Sequence, residues 1–382
     1  MLKNFLEAKP LYYDKIDYTR MPRVYKSIEN NIKISKIIHI IGTNGKGTTG
    51  RFLATALHSI GYKVGHYTSP HIQKFNERIW LNGIDIKDEL LEEAHQYLQK
   101  LLHVEDSDSL SYFEYTTLLA MIVYKDCDYI VMEAGLGGEN DATAVFPKIL
   151  TLVTPIALDH ESFLGNTLKE IATTKLRAVQ KTAILTQQKD EVYEVAKSIS
   201  VAPFGCREFF RVDEFIQDND IKNINIISKE LKLANYLEDN LTLAISALNF
   251  LKIKYKNADF KNAKLFGRLS QIAENIVVDV GHNALAALSV VNALSENKYI
   301  IIYNSYKDKD YKQILSILKP ITIHVELIDI DDERVVSDRI MCDVLDSLDM
   351  KYIKFKEIKQ ENNYLVFGSF SVVEAFLKEY NG

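Results

Sequence analysis

The stretch Ile37-Ile-His-Ile-Ile-Gly-Thr-Asn-Gly-Lys-Gly-Thr-Thr49 decides the fold of this 382-residue chain. Its first five residues are mostly apolar and predict a buried strand, and a helical pattern begins at Thr48 or Thr49. Between them lies a loop with three glycines and one lysine, Lys46. Glycines let backbone N–H groups approach phosphate oxygens, while the helix N-terminus and the lysine supply positive charge. The stretch therefore predicts a phosphate cradle in a nucleotide-dependent enzyme.

The loop departs from the general phosphate-loop pattern G-x-x-x-x-G-K-[ST]. Gly42 and Gly45 are separated by two residues, and Gly47 stands between Lys46 and the hydroxyl residues. Because Asn-Gly is a common turn dipeptide, a plain surface turn is the alternative interpretation. We prefer the phosphate loop, since a plain turn does not require a lysine between two glycines, with an apolar strand before it and a helix after it.

The composition narrows the class of protein. Hydrophobic residues make up 47% and charged residues 26%, which is typical of globular proteins, and the length predicts two or three domains. A net charge of −6 disfavours a nucleic-acid binder. The N-terminus lacks the apolar core of a signal peptide, and no run approaches the ~20 apolar residues of a membrane helix. Cys127, Cys206 and Cys342 form no metal or redox spacing, so we expect a cytoplasmic protein.

Strand-like and helical patterns alternate along the chain, which predicts a mostly parallel sheet with helices on both faces. Two further buried strands, over 129–132 and 149–154, are each followed by polar or glycine-rich segments. Ligands of such sheets bind beyond the carboxyl ends of the strands, so we expect these segments to converge on the phosphate cradle.

A second α/β block follows a lysine-rich stretch, and we place the boundary just before Gly267. The predicted domains are therefore 1–266 and 267–382. The second block contains four predicted strands, over 276–280, 299–304, 321–328 and 364–367. It also contains two clear helical patterns, over 284–294 and 372–380.

Three residues are candidates for a metal site, because triphosphate chemistry usually needs Mg²⁺. Glu133 follows a buried strand, as a Walker-B carboxylate does, and the alternative is a strand-end cap. The Gly-Leu-Gly-Gly that follows favours the metal. Ser69 offers a hydroxyl, but the residues alone favour a Ser-Pro turn. His160 follows another strand, and by itself it fits a loop histidine better than a ligand.

Other candidates have both a functional and an ordinary interpretation. Lys175 lies in a helical segment, where lysines are usually solvated; beside a metal, a lysine can be held as its carbamate. In the second block, Arg268 offers a planar fork to phosphate. Arg268 and Asp279 each also fit a turn or a cap.

Taken in order, these motifs resemble the folylpolyglutamate synthase/dihydrofolate synthase family of the Mur ligase superfamily. A single motif would be weak evidence, but the ordered set covers nearly the whole chain and is highly specific. The matching segments are Gly42 to Thr48, Tyr67 to His71, Phe75 to Ile79, Tyr112 to Tyr115, Glu133 to Thr143, Ala157 to His160, Lys175, Asn240, Gly267 to Leu269, Asp279 to Asn283, Lys307 to Asp310 and Gly368 to Phe370.

The resemblance implies an α/β fold with an N-terminal P-loop ATPase domain of the Mur ligase central-domain type and a smaller C-terminal Rossmann-like domain. The implied reaction adds L-glutamate to dihydropteroate and to reduced folates, through an acyl phosphate. The segment Tyr112 to Tyr115 favours dihydropteroate as one acceptor. The implied cofactors are ATP and Mg²⁺, with two ions expected, and Lys175 would be an N6-carboxylysine. We expect a monomer without nucleic-acid or membrane partners.

The resemblance also implies residue roles. The catalytic residues would be Lys46, His160 and Lys175. The metal ligands would be Ser69, Glu133 and His160. ATP would be bound by Gly45, Lys46, Gly47, Thr48, Asn240, Arg268 and Asp279. The pterin substrate would be approached by Lys15, Ile16, Asp17, Tyr18, Tyr112, Phe113, Glu114, Tyr115, Asn140, Asp141 and Ala142.

The chain departs from the family pattern at three places. Glu139 follows the paired glycines where the family often has Arg, which reverses a charge near the implied substrate site. The segment Thr174-Lys-Leu-Arg-Ala178 replaces the usual Glu-Lys-Ala-Gly-Ile, and Ala284 stands where Pro is common. These differences concern the substrate site and the surroundings of Lys175, and they leave the ATP motifs intact.

Three other functions are disfavoured. A peptidoglycan Mur ligase carries a further N-terminal domain, whereas only 41 residues precede Gly42 here. A non-catalytic ATP-binding regulator would not need Lys46, Glu133 and His160 together. A GTPase switch protein is disfavoured by the spacing of the phosphate loop.

Overall fold

The structure is a computed structural model that describes residues 1–9, 17–201 and 207–381, apart from the side chain of Ser162. It divides into two compact units, one of Met1–Leu233 with Leu237–Lys264, the other of Ala234–Tyr236 with Leu265–Gly382. The boundary between 1–266 and 267–382 stays a prediction. Within the described ranges, no helix combines the length and the apolar character that crossing a bilayer demands.

The described part of the first unit is built on an eight-stranded sheet of order β4-β3-β2-β5-β1-β6-β7-β8. Its strands are β1 (Lys36–Ile41), β2 (Val64–Tyr67), β3 (Ile79–Leu81), β4 (Ile84–Asp85), β5 (Tyr129–Glu133), β6 (Leu150–Val153), β7 (Thr182–Leu185) and β8 (Glu208–Arg211). The antiparallel pairings are β2 with β3 and β3 with β4, and the other neighbours are parallel.

Helices cover both faces of this sheet. Successive strand side chains point to opposite faces, so in β1 Ile37 packs into one hydrophobic cluster and Ile38 into another. Helices α2, α4 and α6 contribute to the first cluster, and α3, α10 and α11 to the second. In order, the helices are α1 (Leu2–Glu7), α2 (Arg20–Ile28), α3 (Lys46–Ile60), α4 (Asp88–Leu101), α5 (Val104–Ser109), α6 (Tyr112–Val123), α7 (Glu161–Leu164), α8 (Leu168–Leu176), α9 (Asp190–Ser200), α10 (Asp218–Leu231) and α11 (Asn235–Phe250).

The second unit has a six-stranded sheet among its described residues, of order β13-β12-β11-β14-β10-β9, in which β9 alone pairs antiparallel. Its strands are β9 (Ser270–Ala273), β10 (Ile276–Asp279), β11 (Tyr299–Tyr303), β12 (Thr322–Leu327), β13 (Tyr352–Lys354) and β14 (Tyr364–Phe367). Its helices are α12 (Ala284–Leu294), α13 (Tyr311–Leu318), α14 (Asp338–Ser347) and α15 (Phe370–Asn381).

The predicted α/β class is confirmed, and the strands expected from the apolar runs are present within a residue or two of their predicted ends. One boundary was wrong. Helix α3 begins at Lys46 and not at Thr48 or Thr49, because Gly45 adopts a left-handed conformation and occupies the N-cap position. The first turn of α3 therefore already contains the lysine.

Candidate active site

The phosphate loop joins β1 to α3, and at two of its positions the backbone and its neighbours leave room only for glycine. Gly42 and Gly45 have φ values of 137° and 89°, where a side chain is strained. A Cβ atom on Gly45 would lie 2.3 Å from Oδ1 of Asn240, and one on Gly42 would lie 2.1 Å from Oγ1 of Thr154. Asn240 of α11 is thus held directly against the loop, and its contact with ATP stays a prediction.

Lys46 folds back over its own loop. Its Nζ atom donates to the carbonyl oxygens of Thr43 at 3.0 Å and Gly42 at 3.3 Å. Two residues further on, the Thr48 hydroxyl is buried and has no hydrogen-bond partner among the described residues. A buried polar atom without a partner is costly, so the Thr48 oxygen fits a ligand for a cation or a phosphate.

Glu133 ends β5, opposite Ile40 of β1 in the parallel pairing. Its Oε2 atom accepts from the Thr68 hydroxyl and, at 3.2 Å, from the Ser69 backbone N–H. Its Oε1 atom lies 3.9 Å from Nζ of Lys46, and both side chains are largely buried. Since a buried carboxylate is stable only with partners of this kind, Glu133 is a fixed anion at the phosphate loop. Carboxylate and hydroxyl oxygens are the ligands that Mg²⁺ prefers, so Glu133 and the neighbouring Ser69 have the chemistry of a Mg²⁺ site.

Lys175 lies in the last turn of α8 and is almost completely buried. Its Nζ atom donates to the carbonyl oxygens of Gly42 at 3.1 Å and Leu136 at 3.3 Å. Burial, and secondarily the charge of Lys46, lowers the pKa of Lys175 to about 7. A neutral amine is the form that adds CO₂, so this environment is compatible with the predicted carbamate.

His160 belongs to a segment that is tied to the phosphate loop. The Thr43 hydroxyl donates to the Ala157 carbonyl oxygen at 3.1 Å and accepts from the Ala157 N–H at 3.0 Å. His160 itself has a left-handed φ of 54°, and its Nε2 atom lies 3.9 Å from Oδ2 of Asp159. The structure thus fixes the segment beside the loop, while metal binding by His160 stays a prediction.

The segment Tyr112 to Tyr115 forms the first turn of α6, and its four side chains face different surroundings. The Phe113 ring packs against the glycine-rich loop, since a Cβ atom on Gly135 would lie 2.7 Å from the ring. Tyr112 lies beside Arg78, whose guanidinium is 5.1 Å from the ring centroid. Contact of Phe113 and Tyr112 with the substrate stays a prediction.

Glu114 and Tyr115 are instead supports of α6. Glu114 accepts from Nε of Arg20 at 2.7 Å and from the Ser111 N–H, which closes a capping box. Tyr115 is fully buried, and its hydroxyl is 2.8 Å from both His95 Nδ1 and Gln99 Nε2. Their polar atoms are already used inside the core, and contact of either residue with the pterin substrate stays a prediction.

The remaining predicted substrate residues differ in their exposure and in their hydrogen bonds. Asn140 is exposed and Ala142 is buried. The Asp141 carboxylate accepts hydrogen bonds from the Gly137 N–H and from the N–H and hydroxyl of Thr143, all within its own loop. Tyr18 is exposed and Asp17 accepts from Thr19. Lys15 and Ile16 lie outside the described residues.

Within the second unit, Asp279 organises the ends of two strands. Its Oδ2 atom accepts from the Leu269 N–H at 2.9 Å and the Tyr236 hydroxyl at 3.1 Å, and its Oδ1 atom accepts from the Gly281 N–H at 2.8 Å. Burial raises the pKa of Asp279, although Arg268 opposes the shift. The Arg268 guanidinium lies 5.2 Å from the Phe370 ring centroid, so three C-terminal motifs meet here.

Two residues with clear contacts were missed from the sequence. Thr68 directly precedes Ser69 and follows an apolar run, so its position at a strand end could have identified it as a partner of Glu133. No feature of the sequence identifies Tyr236, because the fold is what brings its hydroxyl to Asp279.

Together, the α/β sheets and the phosphate loop with its buried Lys46 and Glu133 define a nucleotide-dependent enzyme of the Mur ligase fold. No family model matches the chain. The crystal structure of Helicobacter pylori folylpolyglutamate synthetase is 39% identical, with a TM-score of 0.80 over 100% of this chain and 98% of that one. The dihydrofolate synthase/folylpolyglutamate synthase of Escherichia coli K12 is 31% identical over 304 residues, 75% of this chain and 71% of the relative.

A third comparison extends the likeness of fold. The bifunctional Yersinia pestis folylpolyglutamate synthase/dihydrofolate synthase, complexed with AMPPNP and Mn ion, is 22% identical and has a TM-score of 0.81 over 100% of this chain and 97% of that one. The chain belongs to the dihydrofolate synthase/folylpolyglutamate synthase family, and it is an ATP-dependent ligase.

Proposed function

We propose that this protein joins L-glutamate to dihydropteroate and to reduced folates, using ATP and passing through an acyl phosphate. The observation that carries the proposal is the buried approach of Lys46 Nζ to Glu133 Oε1, 3.9 Å apart at the phosphate loop. Family membership supports the substrates, since the Escherichia coli relative is a dihydrofolate synthase/folylpolyglutamate synthase and the Helicobacter pylori relative a folylpolyglutamate synthetase.

The proposed nucleotide contacts are the loop residues and three side chains from further along the chain. Gly45 to Thr48 present backbone N–H groups and the positive end of α3 to phosphate oxygens, and Lys46 adds its charge. We assign Asn240, Arg268 and Asp279 to the same ligand. Ser69, Glu133 and His160 are the proposed ligands of Mg²⁺, for which we propose two ions. In the Yersinia pestis relative, AMPPNP and a Mn ion are bound.

The chemical problem is that a carboxylate does not react with an amine unaided. In the first step, a carboxylate oxygen of the acceptor bonds to the γ-phosphorus of ATP, and the bond to the β-phosphate oxygen breaks to release ADP. Lys46 stabilises the charge that develops on the transferred group. Bound Mg²⁺ supplies further neutralisation of phosphate charge.

In the second step, the amine of L-glutamate attacks the acyl carbon. The tetrahedral intermediate loses phosphate, the nitrogen loses a proton, and the amide remains. Neither step requires a covalent protein nucleophile. We propose that Tyr112, Phe113 and Asn140 face the pterin acceptor and that Lys175, as its carbamate, supplies an anion beside the phosphate loop.

We also propose that the protein acts as a monomer in the cytoplasm, without nucleic-acid or membrane partners. Its net charge of −6 disfavours polyanions, and its cysteines form no disulfide spacing.

The proposal is tested with pure protein, ATP, Mg²⁺ and L-glutamate, with either dihydropteroate or tetrahydrofolate as acceptor. We expect phosphate release that requires the acceptor, and an acceptor product heavier by one glutamate. Phosphate release at the same rate with and without either pterin would contradict the proposed function. Lys46→Met should abolish turnover, whereas the control Lys26→Met, at an exposed lysine, should not change it.

A further inference from the structure

Two buried residues, His39 and Thr143, and the half-buried Asp141 form a hydrogen-bonded relay that the proposed chemistry does not use. His39 lies in the middle of β1, and its ring is fully buried. Its Nε2 atom is 2.7 Å from Oγ1 of Thr143, which in turn is 2.6 Å from Oδ1 of Asp141. The other carboxylate oxygen, Oδ2, accepts from the Gly137 N–H at 3.1 Å. The relay therefore runs from the central strand to the glycine-rich loop.

The direction of each hydrogen bond follows from the chemistry of the groups. A carboxylate only accepts, so the Thr143 hydroxyl must give its single proton to Asp141. That hydroxyl can then only accept from His39, which requires a proton on Nε2. The Nδ1 atom of His39 has no partner within the described ranges. The contacts thus require a proton on Nε2 of the imidazole.

Burying a histidine at this position costs free energy of folding. Its neighbours in β1 are Ile38 and Ile40, and both are fully buried. An apolar side chain here would avoid the cost of burying an unpaired ring nitrogen. Burial, and secondarily the charge of Lys148, lowers the pKa of His39 well below its ordinary value, which keeps the ring neutral. What the imidazole contributes is the bond to Thr143.

Asp141 closes a short turn in the glycine-rich loop. Besides the bond to Gly137, its own N–H donates to the carbonyl oxygen of Gly138 at 3.1 Å. Asn140 is exposed on this turn. Gly137 is also close to Lys175, since a Cβ atom on it would lie 3.3 Å from the Nζ atom. Displacing Asp141 would therefore move Asn140.

We propose that His39, as its Nε2–H tautomer, is a positioning residue that holds Asp141 through Thr143 and so sets the turn that presents Asn140 to the acceptor substrate. This rests on the proposed function, which assigns Asn140 to the pterin side. Strand β1 then serves both substrates: its carboxyl end leads into the phosphate loop, and His39 orients the acceptor loop. Loss of the relay should affect acceptor binding and leave ATP binding unchanged.

Two pairs of matched variants test the relay by steady-state kinetics. His39→Leu and Thr143→Val remove its polar atoms, and each should raise the KM for the acceptor about tenfold, with the KM for ATP unchanged. His39→Gln keeps an N–H near the position of Nε2, and Thr143→Ser keeps the hydroxyl, so both should restore the KM to within about threefold of wild type. The double variant His39→Leu/Thr143→Val should be no worse than the worse single variant.

Equal changes in both KM values, or none in either, would overturn the proposal, as would additive effects in the double variant. A second measurement is independent of turnover and of any variant's folding. In ¹⁵N NMR of the wild-type protein without substrates, the His39 ring should show a protonated Nε2 and a bare Nδ1 from about pH 6 to 8. An Nδ1–H tautomer or an imidazolium there would contradict the relay. If the proposed function were wrong, wild type would show no acceptor-dependent turnover, but the NMR result would stand.

Discussion

Lys46 and Lys175 donate to one and the same acceptor, the carbonyl oxygen of Gly42, from 3.3 Å and 3.1 Å. Two ammonium groups at one carbonyl repel each other, and Lys175 is the more deeply buried of the two. Burial, and secondarily the charge of Lys46, lowers the pKa of Lys175 from its ordinary value of 10.5 to about 7. The phosphate loop is therefore bordered by one amine that gives up its proton near neutral pH.

The first prediction concerns stability and pH. Below about pH 7, Lys175 is protonated in the folded and the unfolded chain, and the cost of burying its charge is present in full. Between about 7 and 10.5 the unfolded chain binds the proton and the folded chain does not, so stability rises with pH. The slope from this group is at most about 1.4 kcal/mol per pH unit.

Urea unfolding in CO₂-free buffer, from about pH 7.5 to 9, measures this contribution. The variant Lys175→Met should lose the rise, whereas Lys169→Met, at an exposed position of the same helix, should keep it. Parallel curves for Lys175→Met and wild type would show that Lys175 is protonated in the folded protein throughout this range.

The second prediction concerns the carbamate. A neutral amine adds CO₂ reversibly, so removing CO₂ should reduce turnover, and bicarbonate should restore it. In ¹³C NMR, labelled bicarbonate should give a carbamate signal in wild type that is absent from Lys175→Met. Turnover that ignores CO₂ depletion, together with no carbamate signal, would remove the modification from the mechanism.

The third prediction concerns Glu133. Replacing it with Gln keeps the shape but removes the charge that faces Lys46 and a proposed Mg²⁺ ligand. We expect the Mg²⁺ concentration for half-maximal turnover to rise at least about tenfold. Glu139→Gln is the matched control, because that carboxylate pairs with Arg177 at 3.2 Å and its side chain is not buried. An unchanged Mg²⁺ dependence in Glu133→Gln would exclude Glu133 as a ligand.

The fourth prediction concerns the second unit. Asp279→Asn replaces one of two acceptor oxygens with an NH₂ group, which would face an N–H or the Tyr236 hydroxyl. The free energy of unfolding should fall by about 1–3 kcal/mol, and the KM for ATP should rise. Tyr236→Phe removes only one of the three hydrogen bonds and should cost about 1 kcal/mol. A smaller loss in Asp279→Asn than in Tyr236→Phe would contradict this account of Asp279.

The sequence predicted those parts of the fold that depend on local patterns. The run of isoleucines in β1 and the glycines after it follow directly from the residue types, and Glu133 was expected at a strand end because the apolar run stops there. The start of α3 was misplaced, since the left-handed conformation of Gly45 depends on the loop packing against Asn240.

Long-range packing accounts for what was missed. Glu114 and Tyr115 lie beside Phe113 in the sequence, but α6 turns their polar atoms toward Arg20 and His95 and away from solvent. No local sequence pattern indicates that Lys175 is buried against Gly42, because the two residues are 133 positions apart. The same holds for the relay that begins at His39, because a histidine among isoleucines does not reveal its partner.

The central claim is that ATP activates the acceptor as an acyl phosphate before glutamate attacks. It is tested most directly with dihydropteroate labelled with ¹⁸O in its carboxylate, together with ATP, Mg²⁺ and L-glutamate. The account predicts that each phosphate released carries one ¹⁸O atom, because the phosphoryl group leaves with a carboxylate oxygen when the amide forms. Dihydrofolate formed together with unlabelled phosphate would contradict it.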